Sequence, residues 1–166
     1  MPRTTVEIMV ADWEIECCAP PPVLGGRSQW KLEFIPTSEQ PAREHLWRAT
    51  HHPGGGVVLD RDGIVAVWNC PETPAPSPGI HTLTGYLAGT VHGGVVPEDL
   101  APVGGHVRRI RMASYVFAPD EVEPRMFRTV PGSLELREVG ECPRWFSHNL
   151  PGAGRRDTGV FIDLAL

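Results

Sequence analysis

The sequence contains no apolar run near the roughly 20 residues that a membrane-spanning helix requires. The first apolar stretch is short and interrupted by Glu7, so a secretory signal peptide is not expected at the N-terminus. These absences predict a cytoplasmic protein with no membrane partner. In a reducing compartment, its four cysteines are expected to be thiols or metal ligands.

Positive charge and known catalytic motifs are also scarce. The chain has 15 Lys and Arg against 20 Asp and Glu, a net charge of −5. Binding along a phosphate backbone needs clustered positive charge, so the composition argues against nucleic acid as a partner. No glycine-rich run ends in Gly-Lys-Ser or Gly-Lys-Thr, and no Ser or Cys stands in a nucleophile elbow.

Glycine and proline are abundant, with 18 of each among 166 residues. Both disfavour helix interiors, so the composition favours short strands joined by turns. One helix is predicted, over residues 38–49, and Asp60-Arg61-Asp62-Gly63 is predicted to form a hairpin turn. Alternation of apolar and polar residues predicts strands within residues 5–17, 29–34, 57–59, 64–68, 81–91, 107–117, 134–136 and 160–166.

The first predicted strand changes phase part-way along. Its apolar positions run through Val10 in one phase and from Trp13 to Cys17 in the other, which predicts a β-bulge near Ala11-Asp12. Strongly bent strands are typical of small barrels. We therefore predict an all-β fold: a single domain over residues 1–166, forming a small antiparallel barrel, OB-like or SH3-like. It should have long Gly/Pro-rich loops and at most one short helix.

Cys17 and Cys18 are the first candidates for chemistry. Adjacent residues on a strand point to opposite faces, which predicts a core position for Cys17 and a turn position for Cys18. Sharing one metal, or forming a disulfide with each other, would need irregular backbone, which the prolines that follow can supply. The sequence therefore leaves three possibilities for the pair: separate core and turn positions, a shared metal, or a disulfide bond.

Cys142 and His148 form a second candidate group, six residues apart in a predicted loop. Together with Cys17 or Cys18, and with one histidine among His51, His52 and His92, they have the ligand types of a tetrahedral zinc site. Strong zinc motifs space their ligands two to four residues apart, which this group does not. No cofactor is therefore the first expectation and zinc the alternative.

His92, Arg109, Arg111 and Tyr115 are the candidate residues for binding a ligand or partner. His92 lies beside glycines, and the acidic pair at 98–99 is close enough in sequence to orient its imidazole. Arg109, Arg111 and Tyr115 share one face of a predicted strand, as in small barrels that bind nucleic acid or acidic peptides. The same pattern is typical of an ordinary solvated sheet face.

Four segments of the chain carry a resemblance to a known family. They are Asp12-Trp13-Glu14-Ile15-Glu16-Cys17-Cys18 with Pro20, His92-Gly93-Gly94-Val95-Val96-Pro97-Glu98, Gly105-His106-Val107-Arg108-Arg109-Ile110 and Gly159-Val160-Phe161-Ile162-Asp163-Leu164. The chain resembles a family of small actinobacterial proteins of unknown function that open with a Trp-x-x-x-Cys-Cys-Gly pattern. Here Ala19 stands at the glycine of that pattern. The resemblance implies an actinobacterial, cytoplasmic setting and carries no established activity.

Three functions remain in competition. A non-catalytic binding module for a protein partner or small ligand ranks first, because no complete catalytic group is present. The alternatives are a metal- or thiol-dependent enzyme that uses the cysteines and histidines, and a nucleic-acid-binding barrel that uses Arg108, Arg109 and Arg111. Whether the cysteines and histidines meet in space separates these possibilities.

Overall fold

A computed structural model describes residues 4–146 and 152–166 of the chain. Its strands and its short helix are, in order, β1 (Thr5–Ala11), α1 (Asp12–Cys17), β2 (Arg27–Pro36), β3 (Arg43–His51), β4 (Val57–Arg61), β5 (Ile64–Trp68), β6 (Gly79–Thr90), β7 (Val103–Pro119), β8 (Phe127–Thr129), β9 (Glu135–Glu138) and β10 (Gly154–Ala165). The all-β prediction is confirmed. Within these ranges no helix has the length and apolar character needed to cross a membrane.

All ten strands belong to one sheet, and their pairings close into a ring. One circuit runs β1–β6–β2–β7–β10 and back to β1. A second runs β2–β6–β3–β4–β5 and back to β2. The two circuits share the antiparallel β2–β6 pair, so this pair is bonded to neighbours on both sides.

Alternating side chains of the strands build one core. In β1, and in β2 from Trp30 to Phe34, every second residue is buried, as the period of a half-buried strand requires. β10 is buried on both faces over residues 159–162. Removing each large apolar side chain from water contributes about 1.5–3 kcal/mol. The largest of the apolar side chains that are almost fully buried are Trp30, Trp47, Phe34, Ile8, Ile15, Leu32, Leu59, Ile64, Ile110, Ile162 and Leu164.

Two glycines of β6 allow the shared pair to pack closely. A Cβ atom on Gly85 would lie 2.3 Å from the carbonyl oxygen of Ile35 and 2.7 Å from Cζ of Phe34. A Cβ atom on Gly89 would lie 3.1 Å from the ring of Trp30. A side chain at Gly85 therefore cannot be accommodated without displacing the backbone of β2.

Two of the predicted elements differ from the structure. The predicted helix over residues 38–49 is wrong, because residues 43–51 form β3, which pairs with β6 and β4 and buries Trp47 and Ala49 by alternation. The predicted β-bulge near Ala11-Asp12 is also wrong, because the irregularity at this point is the start of a helix. The strand ends at Ala11 and the chain continues as α1, whose periodicity accounts for the change of phase.

The predicted hairpin between β4 and β5 is confirmed. Its two turn residues are Asp62, with φ of 51°, and Gly63, with φ of 80°. Two consecutive residues with positive φ are the signature of a type I′ turn, whose twist matches that of the strands it joins.

We predict that Gly85→Ala destabilises the protein by about 1–3 kcal/mol, because the added methyl group must displace backbone and an aromatic ring. The free energy of unfolding, measured by chemical denaturation, checks this. Gly140→Ala is the matched control, since a Cβ atom there meets nothing within 4 Å. Equal stability of the two variants would contradict the close packing of β2 against β6.

Candidate functional site

The candidate site is built around α1, the short helix that follows β1. Helical spacing turns Glu14 and Ile15 into the protein, where they are 1% and 0% exposed, and leaves Trp13 55% exposed. The helix ends in a turn in which the backbone N–H groups of Cys18 and Ala19 both donate to the carbonyl oxygen of Glu14, at 3.0 and 2.7 Å. This turn supplies the irregular backbone that two adjacent cysteines need in order to approach each other.

The sulfur atoms of Cys17 and Cys18 are joined in a disulfide bond. Both residues are exposed, so the predicted core position of Cys17 is wrong. The reason is the period of the helix: Ile15 takes the inward position, and Cys17 lies beyond it on the outer side. The expectation of free thiols also fails for this pair, whereas Cys70 and Cys142 are free.

His92 lies directly beside the cysteine pair. Its Nε2 atom is 3.9 Å from Sγ of Cys17, and its ring stacks on Trp13 with 6.1 Å between ring centroids. The neighbouring backbone N–H of Val91 donates to Oε2 of Glu14 at 3.3 Å. These contacts hold the loop after β6 against α1. They bring one ligand atom each from Cys17, Cys18 and His92 within 4.8 Å of one another.

A cavity of about 300 Å³ lies between α1, the loop after β6, and the outer face of β1, β2 and β6. We call it the α1 cavity. It is lined by Met9, Ala11, Trp13, Glu14, Glu33, Ile35, Tyr86, Ala88, Gly89, Thr90, His92 and Gly94. Its polar groups are two carboxylates, a phenol, an imidazole and a hydroxyl, set among apolar and aromatic walls.

Glu14 is the unusual residue of the α1 cavity. Its Oε2 atom accepts the Val91 N–H, but Oε1 is buried and has no hydrogen-bond partner among the residues that the structure describes. Buried polar atoms in folded proteins are nearly always paired, and an unpaired one costs about 1–3 kcal/mol or more when charged. Glu14 lines the α1 cavity, and a ligand donor that reached its Oε1 atom would supply the hydrogen bond that this oxygen lacks.

The second carboxylate, Glu33, is held more firmly. The amide of Asn69 donates to its Oε2 atom. A Cβ atom on Gly94 would lie only 2.3 Å from the Oε1 atom of Glu33, so a side chain at position 94 would clash with this carboxylate. Gly94 has φ of 48°, so glycine serves both the turn and the close approach of the loop to Glu33.

The other predicted metal ligands do not join the cysteine pair. Cys142 is buried in the core, and burial raises the pKa of its thiol to about 11, which keeps it protonated. His148 lies outside the described residues. Of the three candidate histidines, only His92 reaches Cys17 and Cys18 in the described part of the chain. Asp99, predicted to orient His92, instead accepts a hydrogen bond from His52 at 3.0 Å, which lowers the pKa of Asp99.

The predicted arginine face is occupied by ion pairs. Arg111 is buried, and its guanidinium lies 2.5 Å from Glu7 and 2.9 Å from Asp163. Arg109 pairs with Glu138 at 3.0 Å. Tyr115 is partly buried and lines a separate cleft near β8. The structure thus places these residues away from His92 and gives both arginines carboxylate partners within the chain.

A family model matches residues 4–166 of the chain, almost its whole length. The chain belongs to a family of unknown function, DUF6578. No curated protein and no solved structure matches it. The predicted membership of a family without known activity is confirmed, while the actinobacterial setting and the Trp-x-x-x-Cys-Cys pattern as a family feature stay predictions.

Two site residues of this DUF6578 chain were missed by reasoning from the sequence. Glu14 and Trp13 were assigned to a strand, which placed Trp13 in the core and Glu14 outside. A signal was available, since Trp13 and Cys17 are four residues apart and share one face of a helix. The opposite face, with Glu14 and Ile15, then becomes the buried one.

We predict three classes of cysteine in protein purified without reductant. A thiol reagent should modify Cys70 in the folded protein and Cys142 only after unfolding, because Cys142 is buried with a raised pKa. Cys17 and Cys18 should react only after reduction. Mass spectrometry of alkylated peptides checks this. Alkylation of all four cysteines in unfolded, unreduced protein would contradict the disulfide bond.

Proposed function

We propose that this protein is a non-catalytic binding module for a small ligand that carries a protonated nitrogen, and that the ligand binds in the α1 cavity. The observation that carries the proposal is the Oε1 atom of Glu14: it is buried, it lacks a partner in the described chain, and Glu14 lines the cavity. A ligand ammonium or amidinium group would supply the missing donor.

The walls of the α1 cavity suit such a cation. Glu14 and Glu33 contribute negative charge, and the lining residues include no lysine or arginine. Trp13 and Tyr86 present aromatic rings, which attract cations through their negative faces. Burial raises the pKa of Tyr86, and the nearby Tyr115 and Glu33 raise it further. The Tyr86 hydroxyl therefore stays neutral and can donate or accept a hydrogen bond.

The size of the cavity limits the ligand. About 300 Å³ is at the lower end of small-molecule pockets, which bury most of their ligand within apolar walls and fix it with few polar groups. A single ring or short chain with one cationic group fits this description. A protein partner would reach the cavity only through a side chain of that kind.

We predict that benzylamine and benzamidine bind with dissociation constants of about 1 mM or tighter, and that benzyl alcohol, which has benzylamine's shape without its charge, does not. Isothermal titration calorimetry measures this. Glu14→Gln should weaken binding of both cations at least about tenfold, because it removes a charge-assisted hydrogen bond.

Glu98→Gln is the matched control, since it makes the same change in an exposed carboxylate of the loop that carries His92. It should leave the affinity unchanged. Equal binding of the alcohol and the amine, or equal weakening by Glu14→Gln and Glu98→Gln, would refute the proposal.

A second candidate function is zinc binding by reduced Cys17 and Cys18 with His92, and the convergence of their ligand atoms favours it. Two thiolates and one imidazole form a common set of three zinc ligands that leaves a fourth position open. Reduction of the disulfide takes up two electrons and two protons. A phosphine reductant supplies the electrons, and water supplies the two protons and the oxygen of the phosphine oxide that forms. Zinc then displaces both thiol protons.

We predict that protein reduced with a phosphine retains one equivalent of zinc through gel filtration, and that unreduced protein retains none. Cys17→Ser should abolish retention, because one thiolate ligand is lost, while Cys70→Ser should not. Elemental analysis measures the metal, and a chelator should lower the melting temperature of the loaded protein. Zinc retention by Cys17→Ser at the level of Cys70→Ser would exclude this site.

For the fold, we propose that the circuit β1–β6–β2–β7–β10 forms a small barrel. The sequence predicts an antiparallel one, which is wrong for the β1–β6 pair, because these two strands run parallel. Five strands is the number in an OB-type barrel, and α1 with the loop after β6 then covers part of its outer surface. The choice between OB-like and SH3-like connectivity stays a prediction.

A further inference from the structure

A second cleft lies between β1, β3, β4 and β6, and it has the opposite polar character. We call it the β3 cleft. Its volume is about 230 Å³, and the side chains that give it its chemistry are Glu7, Arg43, His45, Trp47 and Arg61. Tyr86 borders both this cleft and the α1 cavity, but their charged residues are entirely different.

The strands place these groups together by simple alternation. Arg43, His45 and Trp47 are every second residue of β3 and therefore share one face. The β3–β4 register pairs Arg48 with Asp60, so the next pair along brings Trp47 opposite Arg61. The Arg61 guanidinium accordingly stacks over the Trp47 ring, 5.0 Å from its centroid.

Two of the residues that line the β3 cleft carry a buried hydrogen-bond donor with no acceptor among the described residues. The indole N–H of Trp47, a residue only 1% exposed, has no partner in the described chain, and neither does the Nε–H of Arg61. Indole and guanidinium groups can only donate, so each needs an acceptor to offset its loss of water. Both donors belong to side chains in direct contact, and each lacks the acceptor that would offset its loss of water.

The charges around the cleft leave a positive excess. Glu7 is the acidic lining residue, and its carboxylate is 2.5 Å from Arg111 but 3.8 Å from Arg43. Arg43 is therefore only weakly compensated by Glu7, and the negative charge acting on Arg61 is that of its neighbour Asp62. Burial, together with the positive charges of Arg61 and Arg43, lowers the pKa of His45, so this histidine is held neutral and adds a polar group to the cleft.

We propose that the β3 cleft binds a small anion whose oxygen atoms accept hydrogen bonds from the Trp47 indole N–H and the Arg61 Nε–H. The anion is a carboxylate or a phosphate, since both offer paired oxygens that match the fork of a guanidinium. Arg43 supplies further attraction from the rim of the cleft, where its side chain is 60% exposed.

Titration calorimetry with inorganic phosphate and with acetate tests the proposal and distinguishes the two anions. At least one should bind. Arg61→Lys keeps the charge but removes the Nε–H, and Trp47→Phe keeps an aromatic ring but removes the indole N–H. Each should weaken binding at least about tenfold, because each removes a hydrogen bond to a charged group.

Arg48→Lys is the matched control, as an exposed arginine on the opposite face of β3. It should bind the anion as the unchanged protein does. Melting temperatures verify that Trp47→Phe is folded. The proposal would be overturned if neither phosphate nor acetate bound. It would also be overturned if Arg61→Lys and Arg48→Lys lost the same amount of anion affinity.

Discussion

The close packing of β2 against β6 is the constraint on which the rest of the structure depends. Both strand circuits pass through this pair, so its two strands are hydrogen-bonded on both edges. Gly85 and Gly89 remove side chains at the positions where β6 lies against the aromatic residues of β2. The α1 cavity uses outward residues of this pair, and the β3 cleft lies beside it. A change in the spacing of the two strands would therefore alter both sites.

The strands were predictable where one face is buried and the other is not. In β2 the alternation of apolar residues is the direct result of such one-sided burial, and the sequence predicts this strand correctly. β3 was read as a helix because Pro41 and two apolar neighbours, Leu46 and Trp47, also suit a short helix. Pairing with β4 and β6 decides the outcome, and such long-range pairing is not visible in local sequence.

The candidate site was predictable only in part. Cys17, Cys18 and His92 were singled out by residue type, but 75 residues separate Cys17 from His92, so their meeting depends on how β6 returns to the end of β1. Glu14 was missed because its importance lies in an unpaired, buried oxygen atom. Burial of a charged side chain is a property of the folded chain, and alternation rules assign such residues to the surface.

The arginines show why local pairing, not charge clustering, marks a binding surface. Arg109 and Arg111 are close in sequence and suggest a basic stripe, yet neighbouring strands supply Glu138, Glu7 and Asp163 as partners. Arg61 follows an aspartate and precedes another, and nothing in the sequence sets it apart. In the fold it stacks on Trp47 and retains a buried donor that no described residue pairs with. A guanidinium that is paired with a carboxylate has already replaced its hydrogen bonds to water. An unpaired guanidinium has not, so a hydrogen bond from a ligand adds more binding free energy there.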